Sequence, residues 1–127
     1  MGPRDKTMID LLRTLFPAVA LEAGDSTDQP TIRVPVANLV EVCRALRDHA
    51  ELGFVLLADI TAVDRWPREP RFEVVYHLYS IARNHRLRLK VRVDEDDARV
   101  PSALGLWPIA NWLEREVWDM FGVRFEG

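Results

Sequence analysis

Arg86-Leu87-Arg88-Leu89-Lys90-Val91-Arg92-Val93 sets a cation and an apolar residue in unbroken alternation. Successive side chains of an extended chain point to opposite faces, so this octet is a strand with one apolar face and one cationic face. A sheet packed on one side and open on the other suits such a strand. The stretch before it follows the same rule. Phe72, Val74, Tyr76 and Leu78 share one face, and Glu73, Val75, His77 and Tyr79 share the other.

Outward from this pair, residues 54–60 form a nearly continuous apolar run, which reads as a strand buried on both faces. The loop Arg65-Trp66-Pro67-Arg68-Glu69-Pro70 turns the chain between strands. Further upstream, Asn38 opens a helix, and Glu41 three residues on completes a capping-box pattern. Leu39, Val42, Cys43 and Leu46 line its buried face, and Gly53 lies beyond its end. Thr7 caps a first helix, with Met8, Leu11, Leu12 and Leu15 as its apolar stripe, and Pro17 stops it. Two short extended segments, 18–22 and 31–36, flank the turn-forming run Gly24-Asp25-Ser26-Thr27-Asp28 and read as a hairpin.

Downstream, the acidic run Asp94-Glu95-Asp96-Asp97 ends the strands, and Ser102 caps a short turn. A last helix occupies residues 108–121, with Pro108 at its first position and Gly122 after its end. The order is helix, two strands, helix, three strands, helix. Short connections between neighbouring strands predict a mostly antiparallel five-stranded sheet with helices packed on it, a two-layer α+β fold.

The 127 residues suit one domain spanning 1–127, with 48% hydrophobic and 29% charged residues. A formal net charge of −3 provides no general field for nucleic acid or an anionic membrane. No apolar run approaches the ~20 residues of a membrane span. The N-terminal segment is amphipathic and unlike a signal peptide, so the chain is expected to stay in the compartment where it is made. Its one cysteine, Cys43, cannot hold an iron–sulfur cluster or a zinc ion by itself, and within a helical apolar stripe it reads as a small buried hydrophobe.

His49, His77 and His85 show no metal-ligand spacing, and no nucleophile-elbow, P-loop or dinucleotide fingerprint occurs. His77 reads as a structural histidine, and His49 as one placed favourably at a helix C-terminus. For Arg86, Arg88, Lys90 and Arg92 the order of readings is a solvated face that deters edge pairing, then a protein-docking surface, then nucleic acid. In the last helix Trp112, Leu113, Val117, Met120 and Phe121 form the predicted buried face. Arg115 and Asp119, four apart, can pair. Glu114, Arg115, Trp118 and Asp119 fall mostly off the stripe, and Glu116 borders it. An exposed Trp within such a charged network is a frequent element of protein interfaces.

That last stretch resembles the signature of the 30-kilodalton subunit family of complex I, the NADH-quinone oxidoreductase. It carries Asn111-Trp112, then Glu114-Arg115-Glu116, Trp118, Asp119, Met120, Phe121 and Gly122, and closes with Phe125-Glu126-Gly127. Asp59-Ile60-Thr61-Ala62-Val63-Asp64, Tyr76-His77-Leu78 and the basic strand match the family in order and spacing, so the resemblance spans about residues 52–127. Trp118 stands where tyrosine is usual. The chain ends at Gly127, where the family continues with His-Pro and a basic, partner-wrapping segment.

The resemblance implies a non-catalytic scaffold subunit in the peripheral arm of a proton-translocating NADH:quinone oxidoreductase, a translocase of respiratory electron transport. Such a subunit sits on the cytoplasmic side of the bacterial inner membrane, without a membrane span or nucleic acid. No catalytic, cofactor-binding or metal-binding residue is expected in it. NADH, flavin, iron–sulfur clusters and quinone would belong to partner subunits, and its chief partner would be the large subunit that shapes the quinone cavity. The expected partner interface is Glu114, Arg115, Glu116, Trp118 and Asp119 with Arg86, Arg88, Lys90 and Arg92. The alternatives are the equivalent subunit of a related membrane-bound hydrogenase or other dehydrogenase complex, and a free-standing ligand-binding domain or small enzyme using a cleft near His77 and Asp64.

Overall fold

The computed structural model describes residues 2–24 and 29–127. Helix α1 runs Pro3–Leu15. Pro3 takes the first helical position, where a missing N–H costs nothing. Thr7 therefore lies inside the helix, its hydroxyl donating to the Pro3 carbonyl at 2.9 Å, and does not cap it as expected. The buried stripe is Met8, Ile9 and Leu12, whereas Leu15 is exposed. The helix ends before Pro17, as the sequence requires. Asp5 meets His85 at 2.6 Å and the Arg4 guanidinium donates to the Arg83 carbonyl, which ties α1 to the turn before β5 (His85–Val93).

Strands β1 (Glu22–Ala23) and β2 (Thr31–Arg33) pair antiparallel, the hairpin partners predicted from sequence. The turn residues 25–28 lie outside the described residues. Both strands are shorter than expected. Pro35 has no N–H to donate, and Val36–Asn38 coil into a 3₁₀ turn. Helix α2 (Leu39–Asp48) follows, burying Leu39, Val42, Cys43 and Leu46 as its periodicity demands. Asn38 makes no capping bond to the backbone; its amide donates to the Glu41 carboxylate at 2.6 Å. Gly53 adopts φ +61 after α2, and the Phe54 N–H returns to the Leu46 carbonyl.

β3 (Leu56–Asp64), β4 (Phe72–Ser80) and β5 complete a five-stranded sheet in the order β1-β2-β5-β4-β3. All pairings are antiparallel except β2 with β5, which is parallel. The apolar run at 54–60 proves to be an edge strand rather than a central one. Leu57 and Ile60 face the core, while Leu56 and Val63 are exposed. A register shift between Leu57 and Asp59 and the buried pre-strand Phe54 together produce the run of apolar letters. The alternating strand, in turn, is interior: β5 lies between β2 and β4. Its cations therefore do not guard an edge.

One core cluster unites the apolar faces of β2 to β5 with residues from α1, α2 and α3 (Ala110–Phe121). Val75 is buried at 5% exposure yet stands outside that cluster. The helices thus cover a single face of the sheet. A further small sheet was not anticipated: β6 (Arg99–Pro101) pairs parallel with β7 (Arg124–Glu126), so the closing Phe-Glu of the chain is a strand.

Candidate protein-docking site

Helix α3 begins at Ala110, two residues later than Pro108 suggested, and Gly122 closes it in the left-handed conformation with φ 73. There the Gly122 N–H donates to the Trp118 carbonyl at 2.9 Å, a role open to glycine without strain. The helix packs beside β3, and its buried face is Ala110, Leu113, Glu114 and Val117. Phe121 is half-buried, edge-on to Phe72 at 6.4 Å. This face is rotated from the predicted one. Trp112 is 64% and Met120 77% exposed, because α3 rests against a sheet edge that covers only a narrow stripe.

The rotation has a polar anchor. Glu114 is only 6% exposed; one of its oxygens accepts from the Ser102 hydroxyl at 2.6 Å and the other from the Ala103 N–H at 2.7 Å. Burial pushes its carboxyl pKa up against these two bonds. Glu114 is therefore an internal clamp holding α3 to the segment before it, and not the surface residue expected from its helical position. Ser102 also caps its own turn as predicted, accepting from the Leu104 N–H at 3.1 Å.

Arg115, Glu116, Trp118 and Asp119 do face solvent, with Trp118 45% exposed. Arg115 and Asp119 form no ion pair among the described residues. Instead they border an open groove of about 600 Å³ between α3 and β7, shared with Trp118, Arg124 and Phe125. The Arg124 guanidinium lies 5.8 Å from the Trp118 ring centre, over its face. An exposed indole held by a cation and ringed by charges is suited to grip another polypeptide.

The second candidate surface is the helix-free face of the sheet. Register places Arg92 opposite Glu73, Lys90 opposite Val75, Arg88 opposite His77 and Arg86 opposite Tyr79. Glu73 sits among the cations: Arg92 Nε at 2.8 Å, Lys90 Nζ at 3.5 Å and Arg33 Nε at 3.9 Å. Burial raises the Glu73 carboxyl pKa, but the Arg92 bond and the Lys90 and Arg92 charges outweigh it and hold the group below its ordinary range. Arg86 covers the Tyr79 ring at 4.9 Å, and the Tyr79 hydroxyl donates to Asn84. Arg88 Nε reaches the Gln29 amide oxygen at 3.1 Å in the amide orientation that satisfies both groups. Neither Arg33 nor Glu73 was singled out from the sequence. Only β2–β5 and β4–β5 pairing brings them into one cluster.

His77 lies on this face, 3.4 Å from the Thr61 hydroxyl, and its pKa is lowered chiefly by burial, against the Asp59 charge and with the Arg88 and Lys90 charges acting in the same sense as burial. His49 stands at the C-terminal end of α2 as expected and also accepts the Glu51 N–H on Nδ1. The cleft expected near His77 and Asp64 does not form. His77 is opposite Asp59, and Asp64 is five residues further along β3, about 16 Å away. Asp64 is bound bidentately by Arg71, which with the Trp66 N–H holds its pKa down at about 2. Cys43 is buried, its thiol pushed up to about 12 by burial. Among the described residues no three His, Cys, Asp or Glu side chains gather as metal ligands.

These features define an α+β module with a charged helix face and a charged sheet face. The chain belongs to the family described as respiratory-chain NADH dehydrogenase, 30 kDa subunit, whose model matches residues 32–127. It is 52% identical over 94 residues to the second C-type subunit of NADH-quinone oxidoreductase from Rhizobium meliloti (strain 1021), covering 74% of this chain and 51% of that one. The chain thus spans about half the length of that relative. The trypsin-resistant fragment (1-134) of Nqo5 superposes with a TM-score of 0.78 and 32% identity, over 98% of this chain and 96% of that one. A chain of the membrane-bound sulfane sulfur reductase, an archaeal respiratory membrane complex, gives 0.79 and 31%, over 96% of this chain and 70% of that one.

Proposed function

We propose that this chain is a non-catalytic scaffold subunit in the peripheral arm of a proton-translocating NADH:quinone oxidoreductase, on the cytoplasmic side of a bacterial inner membrane. It supports the quinone-reducing module by docking the large subunit that shapes the quinone cavity. The observation that carries this reading is the arrangement of α3: Leu113 and Val117 serve this chain's own core, while Arg115, Trp118 and Asp119 are left outward around a groove and Glu116 is exposed beside them. Family membership supplies the identity of the complex. NADH, flavin, iron–sulfur clusters and quinone belong to neighbouring subunits in this reading. A single buried cysteine, unable to anchor a cluster alone, supports that assignment. The segment 1–127 acts as one domain, supported by its one continuous core.

The second reading is the equivalent subunit of a related membrane-bound hydrogenase or dehydrogenase complex, favoured by the likeness to the sulfane sulfur reductase chain. Affinity purification of the tagged chain from membranes of its source separates the two. Flavin- and NADH-binding neighbours establish the first reading, and nickel-binding neighbours the second. Recovery of the chain alone overturns both.

A further inference from the structure

We infer that the helix-free face of the sheet receives an acidic segment of a neighbouring protein on Arg33, Arg86, Arg88, Lys90 and Arg92. The inference rests on the assembly reading and specifies the chemistry of one contact within it. Among the described residues, α1 and α2 pack on the opposite face and α3 along the β3 edge, so no helix covers this one. Five cations share it with three acids, Glu22, Asp59 and Glu73, a local excess of two positive charges on a chain whose formal net charge is −3. Charge of this sign has been concentrated here against the overall balance.

The cations are also held in place. Glu73 is nine-tenths buried and positions Arg92, Lys90 and Arg33 together, and Arg33 also pairs with Glu22 at 2.5 Å. Two carboxylates thus offset two of these three charges, while Arg86 and Arg88 add two more opposite Asp59 alone. Alternate residues along β5 are about 6.6 Å apart, the same repeat as alternate side chains of an extended acidic segment. Exposed Leu56 and Val63 on β3 give that segment an apolar margin. The ring that would stack a nucleobase, Tyr79, is covered by Arg86. A bilayer would spread its negative charge over the acidic 3₁₀ turn Glu95–Asp97 that follows β5, whereas a narrow polypeptide avoids it.

Lysine occurs only at Lys6 and Lys90, which makes the contact readable by carbodiimide coupling of amines to carboxylates. In the complex purified from membranes, Lys90 should couple to an Asp or Glu within an acidic stretch of a different polypeptide. Arg86→Gln/Lys90→Gln, with wild-type thermal melting as its folding control, should lower co-purification about tenfold, and Arg86→Glu/Lys90→Glu further. Coupling of Lys90 to Glu73 alone or to a second copy of this chain, or full retention of both variants, overturns the inference while leaving the assembly reading intact. If no partner co-purifies with wild type, the assembly reading fails, and the isolated chain decides the rest. Low-salt binding of poly-L-glutamate that is lost in Arg86→Gln/Lys90→Gln supports the acidic-segment chemistry. Absence of that binding, or preference for phosphatidylserine vesicles or a single-stranded oligonucleotide, overturns it.

Discussion

Glu114 on α3 accepts a 2.6 Å hydrogen bond from the Ser102 hydroxyl, twelve positions earlier in the chain, and this contact sets which side of the helix is buried. The second carboxylate oxygen is taken by the Ala103 N–H. Glu114→Ala leaves that buried donor unmatched and should cost about 1–3 kcal/mol in urea unfolding. Glu114→Gln keeps an acceptor and should recover most of the loss.

The same pair has a pH signature. A carboxyl whose folded pKa is raised contributes stability that is full below its unfolded value and lost as pH rises through the folded one. Glu114→Gln should therefore gain stability relative to wild type on going from acid to neutral pH. Parallel urea titrations across that range check the sign.

Glu73 works in the opposite direction. Its pKa is depressed below the ordinary 4.5, so its contribution is present above that value and disappears as pH falls through the folded pKa. Glu73→Gln should flatten the acid limb of the stability profile. An unchanged acid limb would mean that Arg33, Lys90 and Arg92 contribute nothing net to folding through this carboxylate.

Division of labour on α3 predicts separable phenotypes. Leu113→Ala removes core packing and should cost about 2–5 kcal/mol. Trp112→Ala should change folding by about 0.5 kcal/mol or less, since its side chain is 64% exposed. Arg115→Ala should melt normally yet assemble poorly, read by thermal melting of the isolated chain beside co-purification of the complex.

Spectroscopy tests the cofactor assignment. The purified chain should be colourless and should show no NADH binding by calorimetry. A stoichiometric chromophore or micromolar NADH affinity would contradict the scaffold role.

Much of this was legible in the letters. Period-two alternation located β4 and β5, and period 3.6 located α2 with all four of its buried residues. Pro17 and Gly122 marked helix ends because their backbone chemistry leaves few alternatives. The run at 54–60 misled because apolar content is the same in a central strand and in an edge strand with a bulge. Trp112 misled for a related reason: a broad apolar arc on a helix does not say how much of it a neighbour will cover.

The sequence alone therefore determined the three helices and the strands of the main sheet, the α+β class and the family resemblance, since these depend on local periodicity, turn chemistry and residue order, but not the small β6–β7 sheet. Tertiary structure decided which strand lies at the edge, how far α3 turns, and which distant charges meet. Glu73 gains Arg33, forty positions away, only when β2 joins β5, and Glu114 becomes internal only when Ser102 and Ala103 fold beneath it. Such neighbours are set by pairing register and by burial of competing polar groups, which are properties of the whole packed chain rather than of any short stretch.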